Sequence, residues 1–152
     1  MKGTIIAVCT SEKKGERKKN VGQAQIKENW GLVGDAHAGN WHRQISLLAM
    51  ESIDKMKAAG LNVGPGDFAE NLTVQGLGLM NEFAVGDRFR IGETEVELTQ
   101  IGKLCHTKCE IFRLAGDCVM PREGVFVKVL KEGTVRVGDE IEPFGAVPDP
   151  LP

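Results

Sequence analysis

At 152 residues the chain is the size of one ordinary domain, with enough apolar material, 41% of residues, to bury a core without disulfide or metal staples. Its charged fraction is 26%, its formal net charge −2 and its isoelectric point about 5.9, which speaks against a general nucleic-acid binder, since such domains carry a basic excess. No stretch reaches the roughly 20 apolar residues that span a bilayer, and the opening run Ile5–Val8 is too short for a secretory signal; the expected location is the cytoplasm, where four cysteines argue against a disulfide framework.

The first predicted element is a strand from Gly3 to Cys9, with Cys9 in the core. The loop Lys13-Lys14-Gly15-Glu16-Arg17-Lys18-Lys19 follows, with five basic residues in seven. Such a run is usually a solvated surface, although it can also guide an anion; no aromatic residue interleaves with it to stack RNA bases. A Gly-rich loop, Gly34 to Gln44, leads into a helix predicted from Ser46 to Ala59. There Leu48, Ala49, Ile53 and Met56 share a face, Ser46 serves as N-cap and Gly60 as the stop. Short strands are then expected at Asn71–Val74, Arg88–Ile91, Glu93–Gln100, Val125–Leu130 and Glu140–Glu142, with a short helix at Cys109–Leu114. Val85-Gly86-Asp87 and Val137-Gly138-Asp139 each turn the chain into a strand. This succession predicts a predominantly β fold with a few helices, a closed or partly open β-barrel whose corners use many of the 19 glycines. Residues 1–145 read as one domain and 146–152 as a Pro-rich tail.

Two stretches carry candidate chemistry. In the first, Asp35, His37, His42 and Arg43 lie on the Gly-rich loop. A loop before a helix presents N–H groups to an anion, and Arg43 could add a bidentate phosphate grip. The other reading is that Asp35 and His37 brace the loop by hydrogen bonds, and spacing alone favours it; His37-x4-His42 fits no standard zinc spacing. In the second stretch, Lys103, His106 and Lys108 flank Cys105. Cations beside a thiol favour the thiolate, the form that attacks sulfur or ligates a soft metal; the alternative is a buried, chemically idle cysteine. A third reading joins Cys105, His106, Cys109 and Cys118 as a structural zinc site. Gly64 to Leu72 reads as a barrel corner at least as well as a ligand loop, and so does Pro121 to Gly124, where Arg122 is a second anion contact.

Taken in order, Val33-Gly34-Asp35-Ala36-His37, His42-Arg43-Gln44-Ile45-Ser46-Leu47, Gly64-Pro65-Gly66-Asp67-Phe68-Ala69-Glu70-Asn71-Leu72, Val85-Gly86-Asp87, Cys105, Arg122-Glu123-Gly124 and Val137-Gly138-Asp139 resemble the MOSC domain, found at the C-terminus of molybdenum-cofactor sulfurases. The sequence is most similar to the compact stand-alone bacterial type. The resemblance implies a barrel-like β fold and a role in molybdenum-cofactor or sulfur metabolism. Cys105 would be the sulfur carrier or molybdenum ligand, with His106 and Lys103 tuning it. The cofactor's phosphate suits Arg43, Arg122, Lys13 and Lys14 as contacts, with Asp35, His37 and Arg43 shaping the pocket mouth and His42 as a further cofactor-binding residue. Leu104 stands where many members have Pro. The chain has no room for the pyridoxal-phosphate domain of full sulfurases, so pyridoxal phosphate enters only as a family association. The expected function is therefore a cofactor-binding or sulfur-carrier module, working with a sulfur donor or acceptor protein or a molybdoenzyme and without membrane or nucleic acid. Its rivals are a molybdenum-dependent reductase of N-hydroxylated compounds with an external electron donor, and a non-catalytic interaction domain with a zinc-bound corner.

Overall fold

The computed structural model describes residues 1–14, 16–102 and 120–145. In chain order its elements are β1 (Gly3–Thr10), β2 (Lys19–Asn20), β3 (Gln23–Lys27), β4 (Gly31–Leu32), β5 (Ile45–Ala49), α1 (Met50–Ala58), β6 (Leu72–Gln75), a 3-10 turn (Met80–Glu82), β7 (Arg88–Ile91), β8 (Thr94–Ile101), α2 (Met120–Glu123), β9 (Val125–Lys131), β10 (Gly133–Arg136) and β11 (Glu140–Phe144). Every strand expected from the sequence is present within one or two residues of its predicted bounds. The helix expected at Cys109–Leu114 and the tail 146–152 lie outside the described residues.

Seven strands close into a barrel in the order β1–β11–β7–β8–β9–β5–β6 and back to β1, with β2 as an added strand on the end of β1. A ring of seven strands cannot alternate direction throughout. Among the described residues the one parallel pair is β5–β6, where Leu47, Leu48 and Ala49 face Leu72, Thr73 and Val74. A parallel pair needs a crossover connection, and α1 supplies it. β10, β3 and β4 form a separate three-stranded sheet.

Strand alternation divides the apolar side chains between two clusters. Ile45, Leu47 and Ala49 of β5, with Val125, Val127 and Val129 of β9, point into the barrel, among Phe89, Ile91, Leu98 and Ile141. Leu48 and Phe126 point outward and meet Met50, Ile53 and Met56 of α1, together with Val63 and Phe68. All five residues of β5 are therefore buried. This explains why the helix begins later than the sequence suggests. Ser46 is not its N-cap but a strand residue, and α1 starts at Met50. A strand buried on both faces is a continuous apolar run, and such a run fits a helical period as well as a strand. The predicted stop holds: Gly60 has φ +100, the left-handed geometry of a residue just past a helix C-terminus.

Of the three register shifts among the described barrel strands, two shape what lies on the barrel wall. In β1 the register shifts between Ile5 and Ala7. Ile5 and Val8 therefore both face the barrel interior, while Ile6 packs against the outer cluster. In β8 the register shifts between Leu98 and Gln100, at Thr99. A bulge re-aims the side chains beside it, and both bulges adjoin the features described next.

Candidate functional site

The loop between β4 and β5 is anchored at its start by Asp35, which is buried. One carboxylate oxygen accepts hydrogen bonds from the Ser11 backbone N–H (3.1 Å) and the Lys18 ammonium (2.8 Å); the other accepts from the His37 N–H (3.0 Å). Burial alone pushes the Asp35 carboxyl up, but Lys18, by hydrogen bond and by charge, and the His37 N–H together outweigh it and hold the group below its ordinary value. Lys18 is equally buried. Besides Asp35, its ammonium reaches Ser11 Oγ at 2.9 Å and His37 Nδ1 at 3.5 Å.

Next to this pair lies a polar knot built from the turn before β6. Asn71 Oδ1 accepts from the Ser46 N–H and hydroxyl, and its amide donates to the Cys9 carbonyl, so that one side chain ties β1, β5 and β6 together. Glu70, wholly buried, accepts from the Gly66 N–H (2.9 Å) and the Thr73 hydroxyl (2.6 Å) through one oxygen. Its other oxygen has no hydrogen-bond partner among the described residues, and burial pushes its carboxyl up. The Lys18 N–H donates to the Gly66 carbonyl at 2.8 Å. A Cβ on Gly66 would sit 2.2 Å from the Lys18 carbonyl and 3.2 Å from Cys9 Sγ, so this approach admits only glycine. Cys9 is core, as expected; burial first, then the Glu70 charge, raises its thiol to about 12.

The second half of the loop folds over the outer wall of the barrel and centres on Trp41. The His37 ring lies parallel to the indole with centroids 6.4 Å apart, and His42 meets it edge-on at 6.0 Å. The Trp41 indole N–H donates to the His37 carbonyl at 3.0 Å. The Arg43 guanidinium is 4.5 Å from the Trp41 ring centroid and 5.6 Å from that of Phe126. Lys14, from the charged loop after β1, brings its ammonium to 5.2 Å from Trp41. Cations over aromatic faces are held by the ring quadrupole without an opposing charge. The bulge at Thr99 clamps the loop, because its hydroxyl donates to the His42 carbonyl. His42 Nε2 lies 2.7 Å from Gln100 Oε1, near the end of β8, where the chain enters the Cys105 stretch. Gln44 then closes the loop by accepting the Val129 N–H at 2.9 Å.

Of the residues singled out from the sequence, the fold brings Lys14, His37, His42 and Arg43 around Trp41, with Asp35 bracing the loop beneath them. Lys13 is an exposed neighbour of Lys14. Arg122 is exposed on α2, next to Glu123, whose carboxylate accepts from Ser52 and Lys55, each at 2.6 Å, under α1. Lys103, Cys105 and His106, and the cysteines 109 and 118 of the zinc reading, lie outside the described residues; no group of metal-binding side chains occurs among the described ones. Sequence reasoning missed Lys18, Trp41, Glu70 and Asn71. The signal that could have found Trp41 is its place between His37 and His42, next to Arg43. Lys18 sits in a run that reads as solvated, and nothing local marks it as buried.

Beside the Asp35–Lys18 pair a cleft of about 700 Å³ opens, lined by Ser11 and Gly34 and by the charged residues Glu12, Glu16, Arg17 and Lys19. No helix of the described residues is long and apolar enough to cross a membrane.

A closed seven-stranded barrel with a braced, cation-bearing loop laid over its wall defines a small β-barrel domain. Residues 34–142 match the family model of the MOSC domain, and the chain belongs to that family, which is associated with molybdenum-cofactor binding. Among solved structures, the fold is similar to that of the YuaD protein from Bacillus subtilis, with TM-score 0.77 at 18% identity, covering 93% of this chain and 94% of that one. YiiM from Geobacillus stearothermophilus gives 0.68 at 18% identity, over 93% and 75% of the two chains. YiiM from Escherichia coli gives 0.65 at 20%, over 95% and 70%. No curated protein matches the sequence.

Proposed function

We propose that this chain is a cytoplasmic module that binds the molybdenum cofactor or carries sulfur for it, with the Cys105 thiolate as molybdenum ligand or persulfide carrier. The observation that carries the reading is the grouping of Arg43, His37 and His42 about Trp41, all within the stretch that matches the family, joined there by Lys14 from the loop after β1. The donor set fits the anionic, phosphate-bearing end of such a cofactor. Arg43 Nε is buried and has no hydrogen-bond partner among the described residues, and the planar guanidinium is the side chain suited to bidentate phosphate recognition. Arg43 and Lys14 would hold the phosphate, while Trp41 fixes both cations. Asp35 and Lys18 keep the loop in place. When bound, the cofactor supplies a molybdenum centre for oxygen-atom or sulfur transfer. Lys103 and His106 beside Cys105 favour its thiolate. A sulfur donor or acceptor protein, or a molybdoenzyme, is the partner this role calls for.

The test is metal and pterin analysis of protein purified from cells that make the cofactor, with Arg43→Ala and Cys105→Ser alongside. Wild-type protein should carry cofactor, Arg43→Ala should carry less, and Cys105→Ser should lose molybdenum or, failing that, persulfide loading. Cofactor-free wild-type protein that also takes up no persulfide would overturn the reading. Turnover of an N-hydroxylated compound by loaded protein with an artificial electron donor would extend it to the reductase.

A further inference from the structure

We infer that Gln100 is a positioning residue that fixes the neutral His42 ring as the tautomer protonated on Nε2, so that His42 brings a proton-accepting nitrogen, Nδ1, into the group of cations around Trp41. The role toward a ligand rests on reading the Trp41 loop as the ligand-facing part of the molecule. The tautomer and the open lone pair are properties of the protein alone.

A backbone carbonyl oxygen can only accept a hydrogen bond. The Gly102 carbonyl lies 2.7 Å from Gln100 Nε2, so the Gln100 amide turns its NH₂ there. The opposite orientation would press two oxygens together at that distance. Gln100 Oε1 is thereby left facing His42 Nε2, at 2.7 Å. An amide oxygen also only accepts, so Nε2 carries the proton. A neutral imidazole with its proton on Nε2 has a bare lone pair on Nδ1. The assignment runs through two short hydrogen bonds and ends on the main chain, where no choice of orientation remains.

The bulge in β8 makes the arrangement possible. Consecutive residues of a regular strand point to opposite faces, yet Thr99 and Gln100 both reach His42. The Thr99 hydroxyl donates to the His42 carbonyl, and Gln100 takes the ring N–H. The register shift between Leu98 and Gln100 re-aims this pair of side chains. The Trp41 indole meets the His42 ring with centroids 6.0 Å apart and planes inclined at 69°. His42 is exposed, and its Nδ1 has no hydrogen-bond partner among the described residues. Around the same indole, the side chains of Arg43 and Lys14 can only donate. His42 adds the acceptor that they lack. The ligand chemistry this selects is a protic group, an O–H or N–H, beside the anionic group that the two cations would hold.

Long-range ¹⁵N–¹H correlation spectra of labelled protein read the tautomer directly, and a chain with three histidines is readily assigned. In the neutral form, His42 Nε2 should show the shift of a protonated ring nitrogen and Nδ1 that of an unprotonated one. The reverse pattern would overturn the inference. In Gln100→Leu the two shifts should move toward each other as the tautomers mix. A folded variant that keeps the wild-type pattern would remove Gln100 from the role; if the variant does not fold, the wild-type spectrum still decides the tautomer. Iodoacetate, an anion that alkylates an unprotonated ring nitrogen, tests the open lone pair, with the thiols first blocked as mixed disulfides. Mass spectrometry locates the modified histidine, and amino-acid analysis separates its two carboxymethyl isomers. His42 should carry the group on Nδ1. Alkylation on Nε2, or none at His42, would overturn the acceptor role. Neither readout involves molybdenum, so a protein that passes both and holds no cofactor keeps this inference and loses the cofactor reading.

Discussion

The Lys18 ammonium and the Asp35 carboxylate lie 2.8 Å apart with neither side chain exposed to solvent. Removing water from both charges is costly, and their attraction offsets that cost only when the remaining hydrogen-bond positions are also filled. Here they are: Asp35 accepts from Ser11 and His37 as well, and Lys18 donates to Ser11 and lies 3.5 Å from His37 Nδ1. The pair joins the charged loop after β1 to the loop before β5, whose residues are 17 positions apart in the chain. Lys18→Met or Asp35→Asn alone should therefore destabilise by about 3–5 kcal/mol, and the double variant by less than the sum, as measured by urea unfolding.

That pair also sets an acid limit. The Asp35 carboxyl is held below its ordinary value of 3.8 in the folded chain. A carboxyl depressed by folding contributes stability that is fully present above the unfolded value. The contribution is lost as pH falls through the lower folded value. Stability measured from pH 5 downward should fall more steeply in the wild type than in Asp35→Asn. Parallel curves would remove Asp35 as the cause.

Glu70 acts with the opposite sign. Burial raises its carboxyl from the ordinary 4.5, so above that pH the folded chain binds a proton that the unfolded chain has released. Its contribution therefore declines as pH rises from the unfolded value toward the raised folded one. Glu70→Gln cannot ionise and can still accept from Gly66 and Thr73. Its stability relative to wild type should rise as pH increases above the ordinary carboxyl value of 4.5. A difference that stays constant with pH would show that Glu70 does not titrate in that window.

Cys9 should be inert while the chain is folded. Its thiol is buried and raised to about 12, so almost none is thiolate at neutral pH. Iodoacetamide applied to native protein should leave the Cys9 peptide unmodified by mass spectrometry, and urea should expose it. Fast native labelling of Cys9 would contradict its place in the core.

Ala69 holds φ at +63, the left-handed region that favours glycine, in the turn that carries Glu70 and Asn71 to the site. Ala69→Gly should relieve that strain and raise stability by up to about 1 kcal/mol. Gly66→Ala, three residues earlier, should destabilise the fold through contact with the Lys18 backbone. The two variants, compared by thermal unfolding, should move in opposite directions.

Much of the fold was legible locally. Val85-Gly86-Asp87 and Val137-Gly138-Asp139 announced the strands β7 and β11, and the alternation of β8 and β9 reads directly from their side chains. β5 was not legible, because Ile45 to Ala49 is buried on both faces and an unbroken apolar run has no period of its own. The strands β2, β3, β4 and β10 were missed: β2 and β4 are two residues long, too few for a pattern, and β3 and β10 bury one residue each, so neither shows an apolar face. Within the site, the Asp35–His37 and His42–Arg43 loop stood out by composition. Its braced half matches the hydrogen-bonding alternative, since Asp35 spends its oxygens on Ser11, Lys18 and His37.

By itself the sequence determined the class of the protein: a mostly β chain, with the MOSC motifs in order and a cationic, Gly-rich loop ahead of β5. These follow from short-range rules, since turn residues, alternation and motif spacing act over a few neighbours. The tertiary structure alone decided which charges meet. It buried Lys18 out of a run of solvated lysines, set it against Asp35 and His37, and gathered Lys14, His37, His42 and Arg43 on Trp41. The physical reason is that burial and pairing depend on where the barrel brings distant segments together. Barrel closure, the bulges in β1 and β8 and the crossover through α1 fix those meetings, and no local pattern encodes them.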